Sequence, residues 1–201
     1  MADSESQTEG YGDVDLVEGE TVKMVAASAM FAALTAVLAV YGQIQMPGGM
    51  PPITLQTTAV FLAGLVLGAR WGGFSMLVYI LAGVAGAPVF AGAKAGLGIL
   101  LGYTGGFLVG YLLAALVIGA VVHRGLRTRD LSPVSTVTQV AAVCLGILVI
   151  YVVGTPWMAS VLGWSLPKAF ATMLPYLPGD LIEMAAVVAL VRAGDLDALT
   201  G

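Results

Sequence analysis

The stretch AGLGILLGYTGGFLVGYLLAALVIGAVV, residues 95–122, contains no charged side chain, and it decides the fold class. A helix needs about 20 mainly apolar residues to cross the hydrocarbon core of a bilayer. The rest of the chain has the same character, because 59% of the 201 residues are hydrophobic, 10% are charged and the mean hydropathy is +0.96. A soluble domain carries about 25% charged residues. The composition therefore predicts an all-α integral membrane protein.

Glycines, prolines and charges divide the apolar sequence into six segments of membrane-spanning character. The predicted helices lie near 22–41, 54–69, 72–93 (with the helix itself ending around 86–88), 95–122, 135–155 and 169–191. A tight turn is expected at 70–73, and a loop with Pro156, Trp157 and Trp164 is expected after the fifth helix. Six helices with short connections predict a compact bundle of six transmembrane helices in one domain, residues 22–201.

The distribution of charge predicts the orientation of this bundle. Six of the eight Lys and Arg residues fall on the side of the two termini, namely Lys23, Arg70, Arg124, Arg127, Arg129 and Arg192. Basic residues favour the cytoplasmic side, so both termini are expected to be cytoplasmic, in a multi-pass protein of the cell membrane. Residues 1–21 carry seven of the twelve acids and no Lys or Arg. We expect them to form a disordered acidic cytoplasmic tail.

The outward connections differ in composition from the cytoplasmic ones. Segments 42–57, 86–106 and 174–183 are rich in Gly, Pro and hydrogen-bonding side chains. Irregular backbone at membrane depth is tolerated where protein or a water-filled cavity satisfies its polar groups. Three such segments on one side predict a pocket that opens outward.

Two acidic residues lie inside the sixth predicted helix. Asp180 and Glu183 are three residues apart, so they are expected to share a face of the helix. Acids inside a span are costly unless they face a cavity or a partner, which makes both of them candidates for ligand contact. Alternatively, Asp180 caps the helix N-terminus, or Glu183 pairs with Lys168 or Lys94.

The outward segments also hold neutral and basic candidates for substrate binding. Lys94 is either a solvated surface lysine or the group that receives an anionic part of the substrate. The other candidates supply hydrogen bonds, aromatic walls or a close backbone approach. They are Thr54, Gln56, Phe90, Gly92, Tyr103 and Tyr151.

Enzymatic motifs are missing from the sequence. There is no phosphate-binding loop, no G-x-S-x-G elbow and no H-E-x-x-H. The chain has one cysteine, Cys144, expected in packing, and one histidine, His123, expected on the basic loop away from the other candidates. We expect no metal, cofactor or nucleic-acid partner. A membrane-embedded enzyme would have to use Asp180 and Glu183 as an acid–base pair.

Four motifs resemble one family of membrane proteins. They are PITLQT (52–57), GAPVFAGAKAGLG (86–98), GYTGGFLVGY (102–111) and LPGDLIE (177–183). Over residues 24–192 the chain resembles the BioY family, the biotin-specific substrate-binding components of energy-coupling-factor (ECF) transporters. The resemblance implies biotin capture from outside, and partnership with a transmembrane coupling protein and two cytoplasmic ATPases. It also implies that Ala29 and Ala33 match the small-residue pattern that contacts the coupling protein.

The resemblance assigns a role to Asp180 and exposes a departure at Glu183. Asp180 matches the aspartate of the family pattern P-G-D-L-I-K, which is associated with the ureido ring of biotin. Glu183 stands where the family has lysine, and Tyr103 stands where the family usually has proline. We hypothesise that Lys94 compensates for Glu183, either by pairing with it or by taking the biotin carboxylate. The alternative is a related component with shifted vitamin specificity.

Overall fold

The computed structural model describes residues 19–46, 50–126 and 134–193, so most of the acidic tail, together with Arg127 and Arg129, lies outside the described residues. The helices are α1 Gly19–Tyr41, α2 Gln56–Val84, α3 Leu97–Leu101, α4 Gly105–Val122, α5 Thr136–Leu162, α6 Leu166–Met173 and α7 Leu177–Ala193. Two short strands, β1 Gln43–Ile44 and β2 Ile53–Thr54, pair antiparallel between α1 and α2. A single 3₁₀ turn, Leu174–Tyr176, joins α6 to α7.

Five helical segments are long and apolar enough to cross a membrane. They are Gly19–Tyr41, Gln56–Val84, Gly105–Val122, Thr136–Leu162 and Leu166–Ala193. The expectation of a mainly helical, multi-pass membrane protein is met at this level. The second and third predicted helices together correspond to α2, which ends at Val84, shortly before the end expected around 86–88.

Helix α2 folds back on itself at Gly68. This residue has non-helical dihedrals, φ 77° and ψ 178°, which glycine adopts at little cost. Gln56 Nε2 lies 2.6 Å from the Tyr79 hydroxyl, although 23 residues of straight helix would separate them by about 35 Å. Residues 56–67 and 69–84 therefore form a helical hairpin. Its reversal at Gly68 lies slightly before the turn expected at 70–73.

The fourth predicted helix, 95–122, is divided. The five-residue α3 ends at Gly102, which has extended dihedrals, and α4 begins at Gly105. A Cβ atom on Gly105 would meet the Leu100 carbonyl, so the close return of α3 onto the start of α4 requires a glycine there. This division places Tyr103 and Thr104 in a bend rather than inside a helix.

Two predicted boundaries in the last third of the chain were wrong. Pro156 and Trp157 lie inside α5, which continues to Leu162 and ends at the left-handed Gly163. A proline inside a helix removes one backbone hydrogen bond. Within a membrane bundle, neighbouring helices can satisfy the backbone group that is left unpaired, so Pro156 does not end α5. The sixth predicted helix begins earlier, as α6, and bends at the 3₁₀ turn that contains Pro175 before α7 begins.

The apolar core lies where α2, α4 and α5 meet. Its fully buried residues include Phe61, Met76, Ile118 and Val143. Gly119 allows the closest approach, because a Cβ atom there would lie 2.2 Å from the Ala69 backbone nitrogen at the α2 reversal. Helix α7 packs at the edge of this core and has three buried residues.

The α2 reversal and the ends of several other helices lie together at one end of the bundle. Three contacts mark it: Ser28 donates to the Trp71 carbonyl at 3.2 Å, His123 Nε2 lies 2.9 Å from the Leu65 carbonyl oxygen, and Arg192 donates to the Val134 carbonyl at 3.3 Å. His123 is buried in this position rather than placed on an open loop. Cys144, expected in packing, is exposed on α5.

Candidate ligand cavity

A cavity of about 250 Å³ lies where β2 and the start of α2 meet residues 90–111 and the α6–α7 bend. The three segments that were expected to face outward all contribute to its lining. Six aromatic side chains contribute to its walls, from Phe90, Tyr103, Phe107, Tyr111, Tyr151 and Tyr176. An apolar cavity with a few polar groups has the usual character of a small-molecule site.

Asp180 is the acidic residue of this lining. It lies in the first turn of α7, where the helix dipole favours a carboxylate. The Tyr151 hydroxyl on α5 donates to Asp180 Oδ2 at 2.5 Å. This bond holds the carboxylate against one wall and leaves its other lone pairs available to a ligand that donates hydrogen bonds.

Glu183 lies one turn further along α7 and does not line the cavity. Its side chain is buried, with 7% of its surface exposed. Its Oε2 atom accepts hydrogen bonds from the Thr57 hydroxyl at 2.5 Å and the Thr58 hydroxyl at 2.7 Å. The structure thus places the Glu183 carboxylate against the N-terminus of α2, not against the ligand space or a lysine.

Lys94 is the basic residue of the cavity lining. Its backbone pairs with that of Phe90 in both directions, at 3.0 and 3.2 Å, across a tight turn. The side chain is exposed while it lines the cavity, so it lies at the mouth. Gly92, with φ 76°, forms the turn itself and does not line the cavity. Lys168 packs over the Trp164 ring instead, at 4.3 Å from its centroid.

A hydrogen-bonded chain fixes the Gln56 amide in the wall. Thr54 Oγ1 donates to Gln56 Oε1 at 3.2 Å, and Gln56 Nε2 donates to the Tyr79 hydroxyl at 2.6 Å. The Tyr79 hydroxyl donates in turn to the Val89 carbonyl at 3.2 Å. This series of hydrogen bonds connects β2, both arms of the α2 hairpin and the 86–98 segment. It orients a side chain that was predicted to bind substrate.

The segment between α1 and α2 covers one side of the cavity. Its residues Pro51 and Pro52 belong to the lining, while residues 47–49 lie outside the described part of the chain. The Tyr176 hydroxyl donates to the Pro51 carbonyl at 2.5 Å. This bond connects residues 51–54, the described part of the cover next to α2, to the α6–α7 bend.

Sequence reasoning missed several lining residues. Phe107, Leu108 and Tyr111 line the cavity, and they follow Thr104 at the i+3, i+4 and i+7 spacing of one helical face. That spacing was visible in the quoted motif GYTGGFLVGY and could have identified them. Tyr79 carried no comparable signal, because it lies in an apolar helix and does not line the cavity; it supports the wall through its hydrogen bonds with Gln56 and the Val89 carbonyl.

The two alanines predicted to contact a coupling protein lie on an open face of α1. Ala29 and Ala33 are exposed, whereas Ser28, Ala32 and Thr35 on the adjacent face of α1 are buried. Small exposed side chains on a membrane helix permit another helix to approach closely.

Within the part of the chain that the structure describes, no group of three or more His, Cys, Asp or Glu side chains could hold a metal ion.

Comparison with known proteins identifies relatives over nearly the whole chain. The sequence model of the BioY family matches residues 8–196. The chain is 38% identical over 168 residues to the biotin transporter BioY of Rhizobium etli, covering 83% of this chain and 89% of the relative. It is 38% identical over 171 residues to a probable biotin transporter BioY of Pyrococcus horikoshii, covering 85% of this chain and 94% of the relative.

Two solved structures share the fold. The crystal structure of the S-component for biotin from an ECF-type ABC transporter aligns with a TM-score of 0.78 at 25% identity, over 89% of this chain and 93% of that one. FolT bound with folic acid aligns with a TM-score of 0.56 at 20% identity, over 84% of this chain and 89% of that one, which is a likeness of fold alone. From its sequence match and its architecture together, the chain belongs to the BioY family.

Proposed function

We propose that this protein is the biotin-binding membrane subunit of a transporter, and that it captures biotin from outside the cell. The observation that carries the proposal is Asp180, held by Tyr151 in a cavity whose other walls are mainly apolar and aromatic. The relatives are named as biotin transporters, so the protein is a transporter subunit rather than an enzyme.

In this proposal Asp180 recognises the ureido ring of biotin. That ring presents two N–H donors, and a carboxylate can accept both. A hydrogen bond to an ionised acceptor is about twice as strong as one between neutral groups. The aromatic side chains then contact the thiolane ring and the apolar part of the valerate chain.

Lys94 is the proposed partner of the biotin carboxylate. It is a cation at the mouth of the same cavity, and the valerate carboxylate is the anionic end of biotin. The alternative pairing of Lys94 with Glu183 receives no support, because the Glu183 carboxylate contacts Thr57 and Thr58. Thr54, Gln56, Phe90, Tyr103 and Tyr151 complete the proposed substrate-binding set, with Gly92 shaping the turn that carries Lys94.

We further propose six spans with both termini in the cytoplasm. In this proposal the two antiparallel arms of the α2 hairpin, residues 56–67 and 69–84, are two crossings by helices shorter than the usual span of about 20 residues, and with the four other membrane-capable segments they make six. Arg70, Arg124 and Arg192 then lie at the end of the bundle that holds the α2 reversal, and the cavity with Lys94 lies at the other end. Because basic residues favour the cytoplasmic side, the cavity faces outward.

The proposed partners are those of an ECF transporter, consistent with the biotin S-component that shares this fold. We propose a transmembrane coupling protein that docks on the Ala29–Ala33 face of α1, with two cytoplasmic ATPases that energise delivery. This places the protein in the cell membrane.

The test is equilibrium binding of biotin to the detergent-purified protein, with wild type beside Asp180→Asn. We expect tight binding by the wild type and a loss of at least about a hundredfold in the variant, since each hydrogen bond to a charged acceptor contributes about 1.5–3 kcal/mol. Glu20→Gln, an exposed acid at the start of α1, is the matched control and should leave affinity unchanged.

A folded wild type that fails to bind biotin would contradict the proposal. It would favour a related vitamin as ligand, the alternative raised by Glu183 in place of the family lysine. Equal affinities for wild type and Asp180→Asn would instead remove Asp180 from the site.

A further inference from the structure

The N-terminus of α2 lacks a cap from its own segment. The residue before the helix is Leu55, whose side chain makes no capping hydrogen bond. The first backbone N–H groups of a helix have no partner within the helix, and leucine is among the poorest residues at that position. At membrane depth, water is not a ready substitute.

Glu183 caps this first turn from another helix, through side-chain hydroxyls of the turn. The Thr57 and Thr58 hydroxyls both donate to its Oε2 atom, whereas the Thr58 backbone amide donates to the Leu55 carbonyl at 3.2 Å. The Thr57 and Glu183 positions are 126 residues apart in the chain. A carboxylate placed at this end of α2 also complements the positive end of the helix dipole.

The capped turn carries part of the cavity wall. Gln56 and Thr57 both line the cavity, and Thr57 is also a neighbour of Asp180. Thr58 contacts Glu183 but does not line the cavity. The Glu183 carboxylate is thus one hydrogen bond away from the ligand space, through Thr57, and does not enter it.

A lysine at position 183 could not form this arrangement. An ammonium group has three donors and no acceptor, so it could only donate to the two threonine oxygens, and its positive charge would oppose the positive end of the α2 dipole. The replacement of the family lysine by Glu183 therefore changes which groups the side chain contacts, and does not merely reverse a charge beside the ligand.

We propose that Glu183 is a positioning residue that caps α2 from α7 and thereby holds Gln56 and Thr57 in the wall of the binding cavity. This rests on the proposed function insofar as the cavity binds biotin. The cap itself is a feature of the chain that can be measured without any ligand.

The first readout is local amide hydrogen exchange, measured by mass spectrometry on the detergent-purified full chain. Glu183→Gln retains the shape of the side chain but loses the charge, and we expect exchange of the peptide around Thr57 and Thr58 to accelerate roughly fivefold, as for loss of an N-cap. Thr58→Val removes the Thr58 hydroxyl, which lies outside the cavity, and should also accelerate exchange. This variant alone decides the test if Glu183→Gln fails to fold.

The second readout is affinity for biotin and for its neutral amide. A positioning residue weakens binding of both ligands by the same factor, about three- to tenfold, because it acts on the wall and not on the charge of the ligand. The double variant Glu183→Gln with Thr58→Val should then be no weaker than the worse single variant, since both disrupt one unit.

Three outcomes would overturn the proposal. Unchanged local exchange in both variants would show that no cap exists. If the wild type binds biotin, and the variants show faster exchange but unchanged affinity for biotin, Glu183 stabilises α2 without positioning the cavity wall. A change of fivefold or more in the ratio of acid to amide affinity would place Glu183 in contact with the ligand. Failure of the wild type to bind biotin contradicts the proposed function, whereas the exchange result then still decides the cap.

Discussion

Replacing Tyr151 by phenylalanine removes a single oxygen atom that contacts the proposed anchor of biotin. The Tyr151 hydroxyl donates to Asp180 Oδ2 at 2.5 Å, while its ring forms part of the cavity wall. Phenylalanine retains the ring and its packing. The variant therefore isolates the contribution of the hydroxyl to the orientation of the carboxylate.

The expected loss of affinity follows from what the hydroxyl does in the free protein. Without it, the Asp180 side chain is free to rotate and must be ordered when biotin binds. Immobilising such a side chain costs about 0.5–1.5 kcal/mol, which corresponds to roughly a two- to thirteenfold weaker Kd. Isothermal titration calorimetry on the purified protein measures this directly. Tyr41→Phe, at a tyrosine that is 83% exposed, is the matched control and should leave Kd unchanged.

Two results would refute this reasoning, in different ways. An unchanged Kd for Tyr151→Phe would mean that Asp180 is oriented by other contacts. A loss as large as that of Asp180→Asn would mean that the Tyr151 hydroxyl contacts biotin itself rather than orienting the carboxylate.

Three further predictions concern the charge at the mouth, the packing of the core and the outer face of α1. Lys94→Ala should weaken binding of biotin at least about tenfold and leave binding of its neutral amide within about twofold; equal losses for both ligands would contradict a contact with the carboxylate. Gly119→Ala should cost about 1–3 kcal/mol of stability in a thermal unfolding assay, because the new Cβ atom would lie 2.2 Å from the Ala69 nitrogen, whereas Gly19→Ala has no atom within 4 Å and should not destabilise. Ala33→Phe should reduce biotin uptake by cells while the purified protein binds biotin normally, and normal uptake would argue against this face as the docking surface.

The membrane class and the approximate positions of the helices could be predicted because they depend on local composition. Long uncharged runs identify spans wherever they occur, and the boundaries of α1 and of the end of α4 fall close to the expected ones. The boundaries that were wrong depend on tertiary contacts. Pro156 lies inside α5, and the 95–122 run is divided where Gly105 allows α3 to pack against the next helix.

The cavity could be predicted as a region but not as a set of contacts. The Gly- and Pro-rich segments that were expected to face outward indicated which parts of the chain converge, and Asp180, Lys94 and Gln56 are found in the lining. The partners of these residues are not local in sequence. Tyr151 is 29 residues from Asp180, and Tyr79 is 23 residues from Gln56. Pairings of this kind are set by helix packing, which no periodicity in one sequence reveals.

The two acids of α7 show how a small angular difference separates two functions. Residues three apart on a helix differ by about 60° around its axis and about 4.5 Å along it. That difference lets Asp180 face the cavity while Glu183 faces the first turn of α2. Two carboxylates exposed in one pocket would repel an anionic ligand, but threonine hydroxyls occupy the second carboxylate and keep it out of the ligand space. The substitution of the family lysine is therefore compatible with biotin binding, provided that Lys94 supplies the positive charge that α7 no longer carries at position 183.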